Sequence, residues 1–320
     1  MTLRTWMMGA AAAAAMGAGA QAQDTDCGRD CLAGHLQAYL DAVAANAPDQ
    51  VPLSIGFRQT ENARGVPVGD GVWETLTAMG PLDRRFYDPV SGNAAYFGTA
   101  TDKGEQAIVN LRLKVDAGEI VEAEWNTVHQ NDVSIDGAIP TVMYNLEGLV
   151  AEPPPAARTV PESQRLSRRD LEAVANSYFD GIAQANADLI IAKPGCMRRE
   201  NGLLVTGRPL PEDRRDDGFE GRSDCTSGQG SFDVQAVAAR RYPVIDEEQQ
   251  VVLAYAVFLR TPGTPKRRNY FSEYFWIAGS EGISDVYSAM LYADPDVTLP
   301  NWGPYWDGSF TIPQELWNAR

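Results

Sequence analysis

The chain is poor in the residue types that serve as catalytic bases and metal ligands. Its 320 residues include two histidines, His35 and His129, and four cysteines. There is no H-E-x-x-H zinc motif and no G-x-S-x-G nucleophile elbow, and the segment TPGTPK lacks the spacing of a phosphate-binding loop. These absences exclude the common zinc-hydrolase, serine-hydrolase and P-loop classes, and we expect no metal and no organic cofactor.

Positive charge is also scarce. The chain has 27 lysines and arginines against 43 aspartates and glutamates, which gives a formal net charge of −16. Nucleic acids and anionic membrane surfaces both attract basic patches, so we expect neither as a partner. The expected partner is a small-molecule ligand or substrate, and a homo-oligomer stays open.

After the amino terminus, the sequence has no apolar run long enough to span a membrane. Arg4 is followed by an Ala-, Gly- and Met-rich run that ends in Ala20-Gln21-Ala22. A basic start, a short apolar run and small residues at a cleavage site predict a signal peptide over residues 1–22. This run is shorter and less apolar than the roughly 20 residues of a membrane span. We therefore expect a periplasmic or secreted protein.

The four cysteines predict two disulfide bonds in an exported protein, with three possible pairings. The simplest pairing joins Cys27 to Cys31 and Cys196 to Cys225, one bridge in each half of the chain. Residues four apart on a helix have Cβ atoms about 5–6 Å apart, which is too far for a disulfide. Cys27 must therefore lie before the first helix. A zinc site is the weaker alternative, because only two histidines are available.

An internal repeat organises the chain. At an offset of 139, Cys31–Asn62 lies on Asp170–Asn201 without a gap. Near the end of each half the offset is 163, so the second half carries about 24 extra residues, which we place at about 207–230. The aligned identities include Leu32 with Leu171, Tyr39 with Tyr178, Glu61 with Glu200, and Asn62 with Asn201. Self-similarity of this kind predicts two related units.

The repeat and a proline-rich segment define the expected domains. Residues 24–150 form the first domain, residues 151–166 a stiff linker and residues 167–320 the second domain. Each half begins with a run of apolar residues at helical spacing, and strand-like runs with short turns follow. This order predicts an α+β fold, and we expect each half to fold alone.

Particular segments carry a resemblance to a known fold. The opening YLDAVAANAPDQ followed by TENARG resembles the SnoaL-like and nuclear transport factor 2-like (NTF2-like) cone fold. In the second half, CMRRENG, CTSGQGSF and ARRYPVIDEEQQVVLAYAVF resemble secreted, largely uncharacterised fungal and bacterial proteins of that superfamily.

The resemblance implies two tandem cone-shaped domains. In each, an N-terminal helix packs on a curved, mostly antiparallel sheet that surrounds a pocket. The superfamily includes cofactor-free isomerases, dehydratases, cyclases and lyases as well as binding modules, so the fold alone does not choose a function. The catalytic Asp–His motif of those enzymes has no match here.

The two histidines are candidate general bases of the first domain. His35 lies on the inward face of the first helix, where its counterpart in the second half is Val174. His129 ends a strand and has Tyr292 as its counterpart. We expect both histidines to line one cavity with Tyr39 and Trp125 as walls. The alternative is that they are hydrogen-bonded in the core without a catalytic role. The opposite face of the His129 strand carries Glu122, Glu124 and Asn126 and is expected to be more solvated.

In the second domain, Glu273 is the acid/base candidate. It lies among aromatic residues in NYFSEYFW, where burial would raise its pKa. Arg241 is a candidate for binding a carboxylate, with pairing to local acids as the alternative. Further candidate binding residues are Glu61, Asn62, Tyr178, Glu200, Asn201 and Tyr292, although both asparagines also fit turn positions.

Two functional hypotheses follow from these observations. The first is an exported, cofactor-independent lyase or isomerase that uses general acid/base chemistry in a cone pocket on a small organic substrate. The alternative is a non-catalytic periplasmic module that binds a ligand or a protein. A third possibility is one active and one degenerate domain.

The signal-peptide prediction is tested by the mass of the mature chain. The protein recovered from the periplasm or medium should begin at Gln23, because cleavage follows Ala22. Intact-mass measurement checks this start. A soluble cytoplasmic product that retains Met1 would contradict it.

Overall fold

The computed structural model describes residues 27–141, 143–206, 223–228, 233–293 and 302. The predicted signal peptide and most of the predicted inserted loop at 207–230 lie outside these residues. Within the described part, no helix has the length and apolarity needed to cross a bilayer.

The first half consists of a helix followed by a six-stranded sheet. Helix α1 spans Arg29–Ala44, and its apolar positions three and four residues apart are all buried against the sheet. The elements that follow are β1 (Leu53–Glu61), β2 (Arg64–Val66), α2 (Val72–Thr75), β3 (Leu76–Asp88), β4 (Asn93–Asp102), β5 (Glu105–Asp116) and β6 (Glu119–Val128). The strand order is β2-β1-β6-β5-β4-β3.

The second half repeats this plan. Helix α3 (Leu146–Ala151) connects the halves, and α4 (Arg168–Ala183) opens the second unit with Ser167 as its N-cap. The strands are β7 (Ala192–Glu200), β8 (Leu203–Leu204), β9 (Val234–Asp246), β10 (Val251–Arg260), β11 (Asn269–Ile277) and β12 (Ile283–Tyr292). Their order, β8-β7-β12-β11-β10-β9, is that of the first sheet.

Both sheets are mixed, because the first long strand of each half pairs in parallel with the last. These parallel pairs are β1 with β6 and β7 with β12, and the remaining ladders are antiparallel. A helix packed on a six-stranded mixed sheet, repeated twice, confirms the predicted α+β class and is the tandem arrangement that the resemblance to the NTF2-like fold implies. The inner face of each sheet meets its helix, and we call each helix and the sheet face that it covers a cone.

Equivalent strands show where the extra residues of the second half lie. The offset is 139 between Leu53 and Ala192, which begin β1 and β7, and 158 between Leu76 and Val234, which begin β3 and β9. It reaches 163 at the last strands, where Trp125 and Ser288 pair with Glu61 and Glu200, the matching residues of β1 and β7. Most of the insertion therefore precedes β9, and the remainder lengthens the turn between β10 and β11, which the sequence comparison did not separate.

Both predicted disulfides are present. Cys27 is joined to Cys31, and Cys196 to Cys225. Cys27 lies before the N-cap residue Gly28 of α1, as the geometric argument requires. The one-bridge-per-half scheme is confirmed.

The buried apolar residues form three clusters. One fills the first cone and another fills the second cone. The third cluster lies between the outer faces of the two sheets, which pack against each other, and includes Phe86 and Phe97 from the first half and Tyr255, Tyr274 and Trp276 from the second. As a result β10 and β11 are buried on both faces along their whole length.

A buried charged cluster lies in this shared layer. Arg112 Nε donates to Glu124 Oε2 at 3.0 Å, and Arg241 donates to both oxygens of Glu124, at 3.2 Å from Nη1 and 2.5 Å from Nη2. The Tyr270 hydroxyl donates to the same carboxylate. Burial alone would raise the pKa of Glu124, but Arg241 and Arg112 outweigh it and lower the pKa. Glu124 is thus a buried anion shared by both halves.

The face opposite His129 on β6 is therefore not solvated, contrary to expectation. Glu124 and Asn126 are both 0% exposed. The residues of β6 alternate between two faces, as predicted. The sequence period of two is the same, however, whether the outer face packs on a second sheet or faces water.

Polar contacts around the rim also join the halves. Arg29 of α1 forms a bidentate pair with Asp246, with N–O distances of 2.9 and 3.0 Å. Arg84 donates to the carbonyl oxygens of Pro154 and Pro155, so the proline-rich segment is bound along the first sheet. The halves share a core and a rim, which argues against the expectation that each folds alone.

The shared layer predicts the effect of removing Glu124. Replacing it in Glu124→Gln leaves Arg112 and Arg241 buried without their common anion, which should lower the free energy of unfolding by about 3–5 kcal/mol. Chemical denaturation measures the change. The matched control is Asp83→Asn, which removes a partly exposed pair with Arg85 and should change stability by less than about 1 kcal/mol. Equal effects of the two substitutions would contradict a shared buried anion.

Candidate functional site

The first cone is filled by aromatic side chains. Tyr39 of α1, Trp73 and Trp125 are each 0% exposed, and the Tyr39 ring contacts both tryptophans. Gln59 Oε1 accepts hydrogen bonds from the Tyr39 hydroxyl at 2.9 Å and from Trp73 Nε1 at 2.7 Å. The residues predicted as walls of a cavity thus form a closed hydrogen-bonded plug.

His129 lies at the end of this cone in an ion pair. Its Nε2 is 2.8 Å from Asp102 Oδ2, and Thr75 Oγ1 donates to the other oxygen of Asp102. Burial would lower the pKa of His129, but hydrogen bonds to Asp102 and Asp132 outweigh it and raise the pKa to about 9. The imidazole is therefore charged at neutral pH, which makes it a poor proton acceptor there.

His35 lies elsewhere, on the amino-terminal part of α1. It is half-buried, and burial lowers its pKa, so the ring is neutral at pH 7. Its neighbours are the sulfurs of Cys27 and Cys31. Among the described residues, no hydrogen bond connects His35 with His129.

The second cone differs from the first at the positions that form the plug. Gln59 corresponds to Arg198, since α1 and β1 align with α4 and β7 at the same offset. Leu111 pairs with Trp125 as Glu273 pairs with Ser288, so these residues correspond across the halves. A glutamine, a leucine and a tryptophan of the first cone are thus replaced by an arginine, a glutamate and a serine.

The arginine and glutamate form a buried charged group with Glu200. Arg198 Nη2 lies 3.0 Å from Glu200 Oε1 and 3.2 Å from Glu273 Oε1. The Arg198 guanidinium also stacks 5.4 Å from the ring centroid of Tyr178, which α4 contributes. Arg198, Glu200 and Glu273 are 1%, 3% and 0% exposed. Two carboxyl groups therefore share one cation inside the cone.

Glu273 is a buried carboxyl group whose pKa is raised towards neutrality. Burial raises its pKa, Arg198 opposes this and Glu200 adds to it, with a result of about 7. Its Oε2 atom accepts no hydrogen bond from the residues that the structure describes. Since Oε1 faces Arg198, the protonated form of this carboxyl group is expected to carry its proton on Oε2.

Both predicted asparagine candidates form hydrogen bonds with the main chain of a neighbouring strand. Asn62 and Asn201 have φ values of 50° and 46° at the turn after the first strand of each sheet. Asn62 exchanges hydrogen bonds with the main chain of Thr127, and Asn201 does so with Met290 at the equivalent position. Each amide side chain thus extends the parallel strand pair, which agrees with the turn interpretation.

The other predicted candidates are dispersed. Glu61 accepts from the Val72 amide at 3.0 Å, at the start of α2, and Arg241 binds Glu124 in the layer between the sheets. Tyr292 is buried in the second cone, and it also lines a cleft of about 340 Å³ with Glu61 and Asn62. The structure therefore brings Glu273, Glu200 and Tyr178 together and leaves His35, His129 and Arg241 apart from them.

Sequence reasoning missed Arg198, which organises the site. A signal was available in the repeat, because the offset of 139 aligns this arginine with Gln59. A permanently charged residue on an alternating inward position, between Cys196 and Glu200, indicates a polar interior.

The ion pair of His129 predicts a pH-dependent stability. Its folded pKa of about 9 lies above the ordinary 6.5, so its stabilising contribution is complete below pH 6.5 and is lost as the pH rises through 9. The total should be about 3 kcal/mol, at about 1.4 kcal/mol for each tenfold change in proton affinity. Urea denaturation across this window should show the loss in the wild type and not in His129→Gln. His35→Gln is the control and should keep the slope, whereas a flat wild-type curve would contradict the ion pair.

The chain is similar to a protein-family model in its second half and to solved structures over about 30% of its length. A family model described as "Domain of unknown function (DUF8021)" matches residues 164–288, from just before α4 into β12. An NTF2-like protein of unknown function from Cytophaga hutchinsonii is similar over 30% of this chain and 89% of its own, with 8% identity and a TM-score of 0.27. A protein from Sphaerobacter thermophilus is similar over 30% of this chain and 94% of its own, with 12% identity and a TM-score of 0.26. No curated protein sequence matches this chain.

Proposed function

We propose that the second half is a cofactor-independent acid/base catalyst, a lyase or isomerase, that acts on a small organic substrate with Glu273 as the proton-transfer group. The observation that carries this proposal is a fully buried carboxyl group with a pKa of about 7, held beside an arginine inside the cone. Buried carboxyl groups with such pKa values are characteristic of catalytic acids and bases.

Glu273 is suited to both directions of proton transfer. At neutral pH a group with a pKa near 7 is populated in both forms, so it can abstract a proton and return it in one turnover. Burial alone would lower the pKa of the neighbouring Arg198, but Glu200 and Glu273 outweigh burial and raise it above its ordinary value. The guanidinium therefore stays charged. It would stabilise an enolate or carboxylate oxygen that develops on the substrate.

The first half serves a structural role in this proposal. Its cone is occupied by Tyr39, Trp73 and Trp125, and His129 is held as a cation by Asp102. The prediction that His35 or His129 is a general base is therefore not part of the proposal. This assignment corresponds to the hypothesis of one active and one degenerate domain.

A ligand-binding module without chemistry is the second candidate. The observation in its favour is the burial of the whole charged group, since Arg198, Glu200 and Glu273 are all at most 3% exposed. A closed interior also fits a protein that binds a partner on its outside. The two candidates differ in whether Glu273 is required for turnover.

We also propose that the protein works outside the cytoplasm. Two disulfides in one chain are typical of proteins in oxidising compartments. The predicted signal peptide agrees with this location. The expected partner in that compartment is a small molecule, with no nucleic acid or membrane involved.

The catalytic proposal is tested by proton exchange. The mature protein is incubated in D₂O with a panel of small keto, hydroxy and unsaturated acids, and exchange or elimination at the carbon next to the carbonyl is followed by NMR. Wild-type protein should act on at least one compound, and Glu273→Gln should be slower by about 10²-fold or more, the usual contribution of a general base. Glu119→Gln, at an exposed carboxylate at the start of β6, is the matched control and should keep full activity.

The pH profile separates a catalytic from a structural role of Glu273. If it acts as the base, kcat/KM rises with pH through an apparent pKa near 7, and this limb is absent from the residual activity of Glu273→Gln. A Glu273→Gln variant that folds and keeps wild-type turnover would overturn the proposal. Binding of a compound by both proteins without turnover would favour the ligand-binding module.

A further inference from the structure

The two disulfides lie in opposite environments. Cys196 and Cys225 are 0% and 1% exposed and belong to the apolar cluster of the second cone. Cys31 is exposed and Cys27 is half-buried, at the surface end of α1. A thiol in solution therefore reaches the first bridge directly and the second only after the cone opens.

The first bridge stabilises the fold less than the second. It joins residues four apart, whereas the second joins residues 29 apart. A cross-link over a short loop removes less freedom from the unfolded chain than one over a long loop. The second half also builds the same helix without it, since the residue of α4 that corresponds to Cys31 is Asp170.

The helix start is arranged to favour a thiolate. The N-cap of α1 is Gly28, which forms no side-chain capping bond among the described residues, whereas Ser167 caps α4 by accepting from the Asp170 amide at 3.2 Å. Uncapped amides and the helix dipole stabilise a negative charge at this end of the helix. Cysteines at helix N-termini accordingly ionise more readily than free cysteines.

A histidine lies beside the sulfurs. The Sγ atoms of Cys27 and Cys31 and a ring nitrogen of His35 all lie within 4.8 Å of one another. His35 follows Cys31 by one helical turn, so both project from the same face of α1. The ring is neutral at pH 7 because burial lowers its pKa, which lets it accept a proton. At the corresponding position α4 has Val174.

We propose that Cys27, Cys31 and His35 form a thiol–disulfide exchange site whose substrates are solvent-borne thiols. An incoming thiol gives its proton to His35 and attacks Cys31 Sγ; the Cys27–Cys31 bond breaks, and Cys27 leaves as a thiolate that takes the proton back. A second thiol then attacks the mixed disulfide and releases Cys31 as a thiol. Two thiols are oxidised to one disulfide while the Cys27–Cys31 bridge is reduced to a dithiol, so electrons and protons balance.

The first test compares the two bridges within one molecule. The native mature protein is treated with reduced glutathione, quenched with an alkylating reagent and mapped by mass spectrometry. The Cys27–Cys31 bridge should be reduced at least ~10-fold faster than Cys196–Cys225, because access and thiolate stability both favour it. In denaturant the two rates should converge. Equal rates in the native protein would overturn the proposal.

Two variants separate an exchange site from mere exposure. His35→Gln should slow reduction at pH 7 by about tenfold because the proton acceptor is lost, whereas Gln37→Ala, on the exposed face of the same helix, should leave the rate unchanged.

Gly28→Ser installs a side-chain cap where a Cβ meets no atom within 4 Å. It should raise the melting temperature slightly and slow the exchange, because the hydroxyl takes the amides that stabilise the thiolate. Exchange rates that are unchanged in both His35→Gln and Gly28→Ser would contradict an assigned role for these groups.

Discussion

The packing of the two sheets back to back is the constraint on which the rest of the structure depends. Each outer face carries aromatic and aliphatic side chains, and the carboxylate of Glu124 binds Arg112 of its own sheet and Arg241 of the other. Because the outer faces are buried against each other, all nine residues of β11 are buried. Glu273, on the inner face of this strand, is therefore backed by the packed outer faces of both sheets.

The two halves differ in the residues that fill their cones and agree in the residues that join their strands. Asn62 and Asn201 bind the neighbouring strand in the same way, and the helices and first strands keep one offset. Inside, the Tyr39 position is a tyrosine in both halves, but Tyr39 contacts Trp73 and Trp125, whereas Tyr178 contacts Phe275 and the Arg198 guanidinium. The same architecture thus encloses an aromatic cluster in the first half and a buried ion-paired group in the second.

The features that follow from local pattern were predictable from the sequence. The helix that opens each half, the last three strands of each half, both disulfides and the tandem α+β plan agree with the structure. Burial of Glu124 was not predictable, because period-two alternation is the same whether a polar face meets water or a second sheet. Glu273 was identified from its aromatic neighbours, but Arg198 requires knowledge of which strands adjoin, and the parallel pairing of β7 with β12 is non-local.

The proposed role of Glu273 in proton transfer requires that its carboxyl group titrates near neutral pH. Carbon-13 NMR of labelled glutamate carboxyl groups, with the signal assigned by its loss in Glu273→Gln, measures this pKa in the native protein. The account predicts a midpoint of about 7, and a higher one in Arg198→Gln because the opposing cation is removed. A midpoint near the ordinary value of 4.5, unchanged in Arg198→Gln, would contradict the account.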